Sequence, residues 1–316
     1  MVSLTLHPFG VRWWVSTNAF STAVEHSLSR DQTRNSEVAL LHGPTLPKDV
    51  AYAVGAYLRS ADQLLPGAVT ACAVGGSIAL DAYRPGRSDI DVIAVLSDEW
   101  KGHRSLMARL RLLHLSQVPR LTARAARGMG FSACCNTVFI WESEVAHPVT
   151  QIRPVASHVG EVFDSHGAFD VNPVIWKELV DGGISIRGGP VSDWGLDPEP
   201  GELRSWVARN LREYWAPLAD SAHSGRRRLS AGTVEWCLVG PARMHHTLLT
   251  GEIISKEAAG RRALEAFPDH SAILEVALAR LRGAPLPANP PRDQWRGLTA
   301  SAMRSVIADS PADDLT

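Results

Sequence analysis

Apolar positions change their period along the chain, and each change marks an element. Over residues 49–64 they recur at helical spacing behind Pro47, which predicts a first helix ended by Pro66-Gly67. Residues 69–74 and 90–96 are mostly aliphatic and β-branched and read as core strands. Between them lie Gly75-Gly76-Ser77, a short helix to about Ala82, and the loop YRPGRS. Helical spacing returns over 106–116 and, after a break, over 119–127. A strand over 132–140, a helix over 176–181 capped by Gly182-Gly183, and a short strand over 184–187 complete an alternating α/β pattern.

The stretch GGPVSDWGLDPEPGE, residues 188–202, is rich in Gly and Pro and predicts a domain boundary. Beyond it only helical spacing appears, over 202–214, 233–250, 255–266, 270–282 and 293–308, with a Pro-rich loop at 284–291. This predicts a small helical bundle. Residues 1–46 are polar and weakly periodic, as in SLSRDQTRNSE, and read as a partly disordered extension. The predicted division is an extension at 1–46, an α/β domain with a mixed sheet at 47–190 and a helical domain at 191–316. The fold class is α+β.

Length and composition narrow the function classes. The 316 residues suit about two domains of ~150 residues each. With 45% hydrophobic and 21% charged residues the chain reads as soluble and globular. A net charge of −1 gives no global basic excess toward nucleic acid. No apolar run is long enough for a bilayer, and Pro8, Gly10 and Arg12 break up any signal-peptide centre. Cys72, Cys134, Cys135 and Cys237 lack CxxC spacing and read as reduced thiols of a cytoplasmic protein. The partners expected from this are small molecules, with neither membrane nor nucleic acid, and the protein is expected to be a monomer.

The chemistry concentrates in VGGSIALDAYRPGRSDIDVIAVL, residues 74–96. Asp89 and Asp91 are two apart, so on a strand they share a face. Side by side and partly buried, they repel each other, and a divalent cation would relieve that. Mg²⁺ prefers oxygen ligands and combines one or two carboxylates with substrate phosphates. Gly75-Gly76-Ser77 offers close backbone approach, a hydroxyl and a helix start to a phosphate, and Ser88 offers a further hydroxyl. The bland alternative is a pair of strand-end aspartates facing solvent.

A Gly-Ser turn with a downstream D-x-D on a strand resembles the nucleotidyltransferase superfamily of the polymerase-β type. Within it the chain is similar to the aminoglycoside adenylyltransferases that modify the antibiotics streptomycin and spectinomycin. ARMHHTLLTGEIISKEAAGRRAL resembles their helical domain, where a helix ends at T-G-x-I and a lysine follows. DVNPVIWKELVDGGISIRGGPV fits the end of their first domain, and the resemblance covers residues 50 to 305.

This resemblance implies a polymerase-β-like first domain, with Gly76, Ser77 and Ser88 at the triphosphate and Asp89 and Asp91 holding Mg²⁺, two ions in all. It implies Lys256 on the nucleotide phosphates from the helical domain, and ATP as donor of AMP to a hydroxyl of a small polyol or aminoglycoside-like acceptor, with release of pyrophosphate. The family's third carboxylate, its catalytic base, has no counterpart in SACCNTVFI. Asn136 falls at that catalytic position, or Cys135 if the register slips by one. An amide takes up no proton at neutral pH. Glu142, Glu144, His147 and His158 are the other candidates for the base. Glu235 is the acid available to bind a cationic acceptor, although a first-turn glutamate also suits a helix dipole. In place of the family's first-domain tryptophan, VASHVGEVFDSHGAFD offers Phe163 and Phe169, residues that more often serve as core aromatics than as a substrate platform. Two further readings remain open: a catalytically weak nucleotide-binding relative, and a transferase acting on RNA or protein through the arginines of 104–127 and 226–228.

Overall fold

The computed structural model describes residues 46–127, 133–160, 162–165, 167–168, 170–224 and 229–311. The expectations placed on 1–45, Phe169 and Arg226–Arg228 lie outside these residues. The first described helix, α1 (Lys48–Leu64), begins behind Pro47 and lays Val50, Ala53, Val54, Tyr57, Leu58 and Ala61 onto the sheet. Strand β1 (Val69–Val74) leads into the one-turn helix α2 (Gly76–Ala79), and β2 (Ile90–Leu96) follows the YRPGRS loop. Helices α3 (Leu106–Leu115) and α4 (Val118–Ala126) connect β2 to β3 (Cys135–Trp141). Strands β4 (Ala156–Val159) and β5 (Val162–Asp164), helix α5 (Pro173–Gly182) and strand β6 (Ile184–Arg187) complete the sheet.

The sheet is mixed, with strand order β5-β4-β3-β2-β1-β6. Only the central pair β2–β3 is parallel, which is why a helical crossover separates those two strands. Strand alternation assigns the faces. Ile90, Val92, Ala94 and Leu96 pack with α1 and α3, whereas Ile93 and Val95 join Val138, Ile140, Trp176 and Leu179 on the α5 side. Each large apolar side chain fully buried this way stabilises the fold by roughly 1.5–3 kcal/mol.

The chain after β6 is helical: α6 (Pro200–Asn210), a π turn over Leu211–Trp215, α7 (Ala216–Ser224), α8 (Ala231–Thr250), α9 (Lys256–Ala266), α10 (Ser271–Arg282) and α11 (Trp295–Asp309). They share a core that includes Leu203, Trp215, Val234, Leu238, Ile273, Trp295 and Met303. Val174 of α5 belongs to this core while Trp176 and Leu179 belong to the sheet's, so α5 joins the two. The protein is therefore α+β. Among the described residues no helix is long and apolar enough to cross a membrane.

Several elements depart from the sequence expectation. Strands β4 and β5 are four and three residues long, too short for alternation to register. Helix α2 stops at Ala79 instead of Ala82. The helix expected to end at Tyr214 continues through the π turn into α7, where Pro217, which lacks an N–H, sits just beyond the widened turn.

Candidate functional site

The Gly-Gly-Ser turn and the D-x-D pair meet in one place. Gly75 N–H donates to the Asp91 carbonyl at 2.9 Å, pinning the turn to β2. Gly76 has φ +59°, and a Cβ there would overlap the Asp91 carboxylate. Glycine is thus required twice, by the backbone angle and by the approach of Asp91. From the other side, a Cβ on Gly182 at the end of α5 would overlap the Ala79 carbonyl, so α2 is clasped between β2 and α5. Within a one-turn helix the N–H groups of Gly76 and Ser77 have no helical partner. So short a helix has a small dipole, so what the turn offers a phosphate is mainly N–H groups and the Ser77 hydroxyl.

Asp89 and Asp91 are each half-buried at the head of β2. Loss of solvation, and then the neighbouring Asp91, push Asp89 up to about 6; Asn136, Lys256 and the Cys134 N–H pull it back. Loss of solvation also raises Asp91, against the opposing charges of Lys256 and Arg243 and the polar contact of Asn136. Ser88 closes the preceding loop: its hydroxyl accepts from Arg84 N–H at 3.1 Å and its carbonyl from Ala133 N–H at 3.0 Å.

Asn136 lies directly across from Asp91 in the parallel register, while Cys135 pairs with Ile90 and is buried on the α1 side. The Asn136 Oδ1 accepts from Gly160 N–H at 2.9 Å. A backbone N–H only donates, so this bond fixes the carboxamide with its NH₂ side left for the two aspartates.

The other candidates for the base lie elsewhere. Glu142 is six residues beyond Asn136, roughly 20 Å along an extended strand. Glu144 accepts from Arg153 N–H at 2.9 Å, and His147 is exposed beyond that same strand end. His158 pairs with Thr137, so it points to the opposite face from Asn136, where its Nε2 meets the Tyr57 hydroxyl at 2.6 Å. Phe163 pairs with His158 and shares that opposite face.

The bundle contributes cations. Lys256 is exposed in the first turn of α9, behind the N-cap Ser255, whose hydroxyl accepts from Ala258 N–H at 3.2 Å. Its charge acts on Asp89, Asp91, Glu178 and Glu235, and its Nζ lies 6.0 Å from the Trp236 ring centre. Glu235 is half-buried and raised by loss of solvation, opposed by Lys256, Arg280, Arg87 and Arg84. The only acid expected to meet a cationic acceptor already faces four cations of the protein itself.

Three charged residues of the site were not singled out from sequence. Arg243 donates to Glu178 at 2.5 Å and to the Ile254 carbonyl at 2.8 Å. Glu178 is 2% exposed, on the buried side of α5 between Trp176 and Leu179. An acid on the apolar stripe of VIWKELV was the signal available for it. Asp170 is pushed up to about 7 by loss of solvation, then by Asp91 and Glu178, which places a third carboxyl within the electrostatic reach of Asp91. It comes from the segment that enters α5 two residues before the N-cap Asn172, whose side chain accepts from Val174 and Ile175 N–H.

Among the described residues no group of three or more His, Cys, Asp or Glu side chains is arranged to hold a metal. The donors available to a cation are two carboxylates with raised proton affinity, one of them against a glycine that leaves no room for a Cβ. Such an all-oxygen pair fits a hard divalent cation that takes its remaining ligands from phosphate and water.

No protein-family description matches the chain, and no curated protein matches it in sequence. Among solved structures the chain is similar to spectinomycin adenyltransferase AAD(9) from Enterococcus faecialis, determined with ATP and spectinomycin. The TM-score is 0.59 at 14% identity, covering 81% of this chain and 98% of that one. The chain shares the fold of that nucleotidyltransferase.

Proposed function

We propose that the protein is a Mg²⁺-dependent nucleotidyltransferase that transfers AMP from ATP to a hydroxyl of a small polyol or aminoglycoside-like acceptor, releasing pyrophosphate. The observation that carries this reading is the packing of Gly76 against the Asp91 carboxylate, which makes the phosphate-type turn and the acid pair one site. The fold shared with an ATP-using adenyltransferase supports the reading.

In this account Asp89 and Asp91 hold magnesium, two ions by family resemblance, which when bound offsets negative charge on the triphosphate and departing pyrophosphate. The Gly76 and Ser77 N–H groups and the Ser77 hydroxyl hold phosphate oxygens, and Ser88 keeps the loop before Asp89 closed. Lys256 brings a positive charge from the bundle to the same phosphates. Asn136 fixes the aspartate pair and takes no proton. Asp170, the third carboxyl within the electrostatic reach of Asp91, is the candidate to take up the acceptor's hydroxyl proton. Glu235 can bind a cationic acceptor only in competition with the four cations around it, which favours an uncharged polyol over a polycationic drug.

A second reading is a nucleotide-binding protein with little turnover. Asn136, which occupies the place across from Asp91 without being able to act as a base, favours it. Pyrophosphate release from Mg²⁺-ATP across streptomycin, spectinomycin, other aminoglycosides and simple cyclitols separates the two. Release with one acceptor supports transfer, and silence with nucleotide binding intact supports the second reading.

A further inference from the structure

The loop YRPGRS, which links α2 to Asp89, reaches into the helical bundle. Arg84 forms an ion pair with Glu257 through Nη2, and its Nη1 donates to the Leu281 carbonyl at 2.8 Å. Arg87 donates to the Arg280 carbonyl at 3.0 Å. Both carbonyls belong to the last turn of α10, the helix end that favours a cation, and that of Arg280 also accepts from the cap Gly283 N–H at 3.2 Å. Gly283 ends α10 with φ +72°, and a Cβ there would overlap the Arg87 guanidinium. Glu257 is the hub: its carboxylate is 18% exposed and also takes Arg261 at 2.6 Å and Arg282 at 3.0 Å.

The two ends of this contact abut the site. Glu257 follows Lys256 directly. Arg84 N–H donates to the hydroxyl of Ser88, the residue before Asp89. A lone exposed ion pair contributes little, but this one is partly buried, shares a carboxylate with two other arginines and is backed by two helix-end carbonyls. We propose that Arg84 and Glu257 are positioning residues: their pair latches the loop before Asp89 to the start of α9 and so holds Lys256 in register with Asp89 and Asp91. The role of Lys256 rests on the function proposed above; the latch itself does not.

The experiment therefore has two readouts on the full chain. The first is amide hydrogen exchange without nucleotide, in wild type and Glu257→Gln. The latch predicts faster exchange in peptides covering residues 84–91, far away in sequence, as well as around 256–260. Unchanged exchange at 84–91 would overturn it. The second is calorimetric affinity for a non-hydrolysable ATP analogue with Mg²⁺, in Arg84→Gln, Lys256→Ala and the double variant. If Arg84 acts through Lys256, each single change costs about tenfold and the double change costs no more than Lys256→Ala alone. Arg84→Lys, which keeps the charge, recovers part of the loss. Losses that multiply in the double variant would show that Arg84 does not act through Lys256 and would overturn the positioning role. A wild type that binds no nucleotide would defeat the proposed function, and the exchange result would then decide the latch alone.

Discussion

Asn136 stands across from Asp91 in the parallel β2–β3 register, with its side-chain oxygen tied to Gly160 N–H at 2.9 Å. An amide so oriented turns its donor side toward Asp89 and Asp91 and eases the burial of both. Asn136→Asp places a third acid beside them and faces the Gly160 N–H with a charge-bearing group of the same shape. In chelator the variant is expected to melt below wild type, by a few degrees for a loss of about 1 kcal/mol in a chain of this size. With Mg²⁺ the gap closes, since three carboxylates bind the cation more strongly. Equal melting temperatures in chelator would show that the amide does not ease the pair.

Asp170 has the opposite demands of stability and chemistry. Its carboxyl is raised in the folded state to about 7 from a usual 3.8. The folded chain therefore binds its proton more tightly than the unfolded chain, so this group's contribution is fully present below about pH 4 and lost as pH rises through about 7. Asp170→Asn escapes that loss. Its gain in melting temperature over wild type should grow from pH 4 to pH 7 and level off above, measured in chelator. Turnover should fall by roughly 10²–10⁴-fold if Asp170 is the base. A variant equally stable relative to wild type at every pH, with unchanged turnover, removes Asp170 from the site.

Gly76→Ala tests the joint between turn and strand. The new methyl needs the space of the Asp91 carboxylate at a backbone angle of φ +59°. The left-handed conformation alone costs roughly 1–2 kcal/mol for a residue with a Cβ. Nucleotide affinity should fall by more than tenfold and the melting temperature should drop. Gly67→Ala, also at positive φ (+70°) but with open space around its Cβ, controls for the backbone cost and should leave nucleotide affinity unchanged.

Glu235→Gln addresses the acceptor. The carboxylate sits among Lys256, Arg280, Arg87 and Arg84, so its removal leaves those cations less compensated. Affinity for Mg²⁺-ATP is expected to hold or rise a few-fold, and that for an uncharged cyclitol to stay constant. A large loss of binding confined to aminoglycosides would restore Glu235 as the contact for a cationic drug.

Local signals carried much of the fold. An aliphatic run of five residues, Val92 to Leu96, and a Gly-Gly-Ser turn are visible in any window around 74–96, and helical periodicity marks α1 and α8 through α11. Strands β4 and β5 escaped because three or four residues are too few for an alternation to show, and β5 is a largely exposed edge strand. Site residues were legible where the signal was local, as with Asp89, Asp91 and Gly76. Arg84 and Glu257 are 173 positions apart, and their meeting depends on how the bundle packs, which no local spacing encodes. Asp170 and Arg243 escaped for the same reason: each is an ordinary charged residue until α5 and α8 are brought beside β2.

The central claim is that the Gly76 turn and the Asp89–Asp91 pair form one Mg²⁺-dependent nucleotide site. Its most direct test is calorimetric titration of a non-hydrolysable ATP analogue into wild type and Asp91→Asn, each with Mg²⁺ and with chelator. The account predicts saturable binding only for wild type with Mg²⁺, and in chelator a melting temperature for Asp91→Asn above that of wild type, because a carboxylate raised by loss of solvation has been removed. Binding of equal strength in both proteins, or binding indifferent to Mg²⁺, would contradict it.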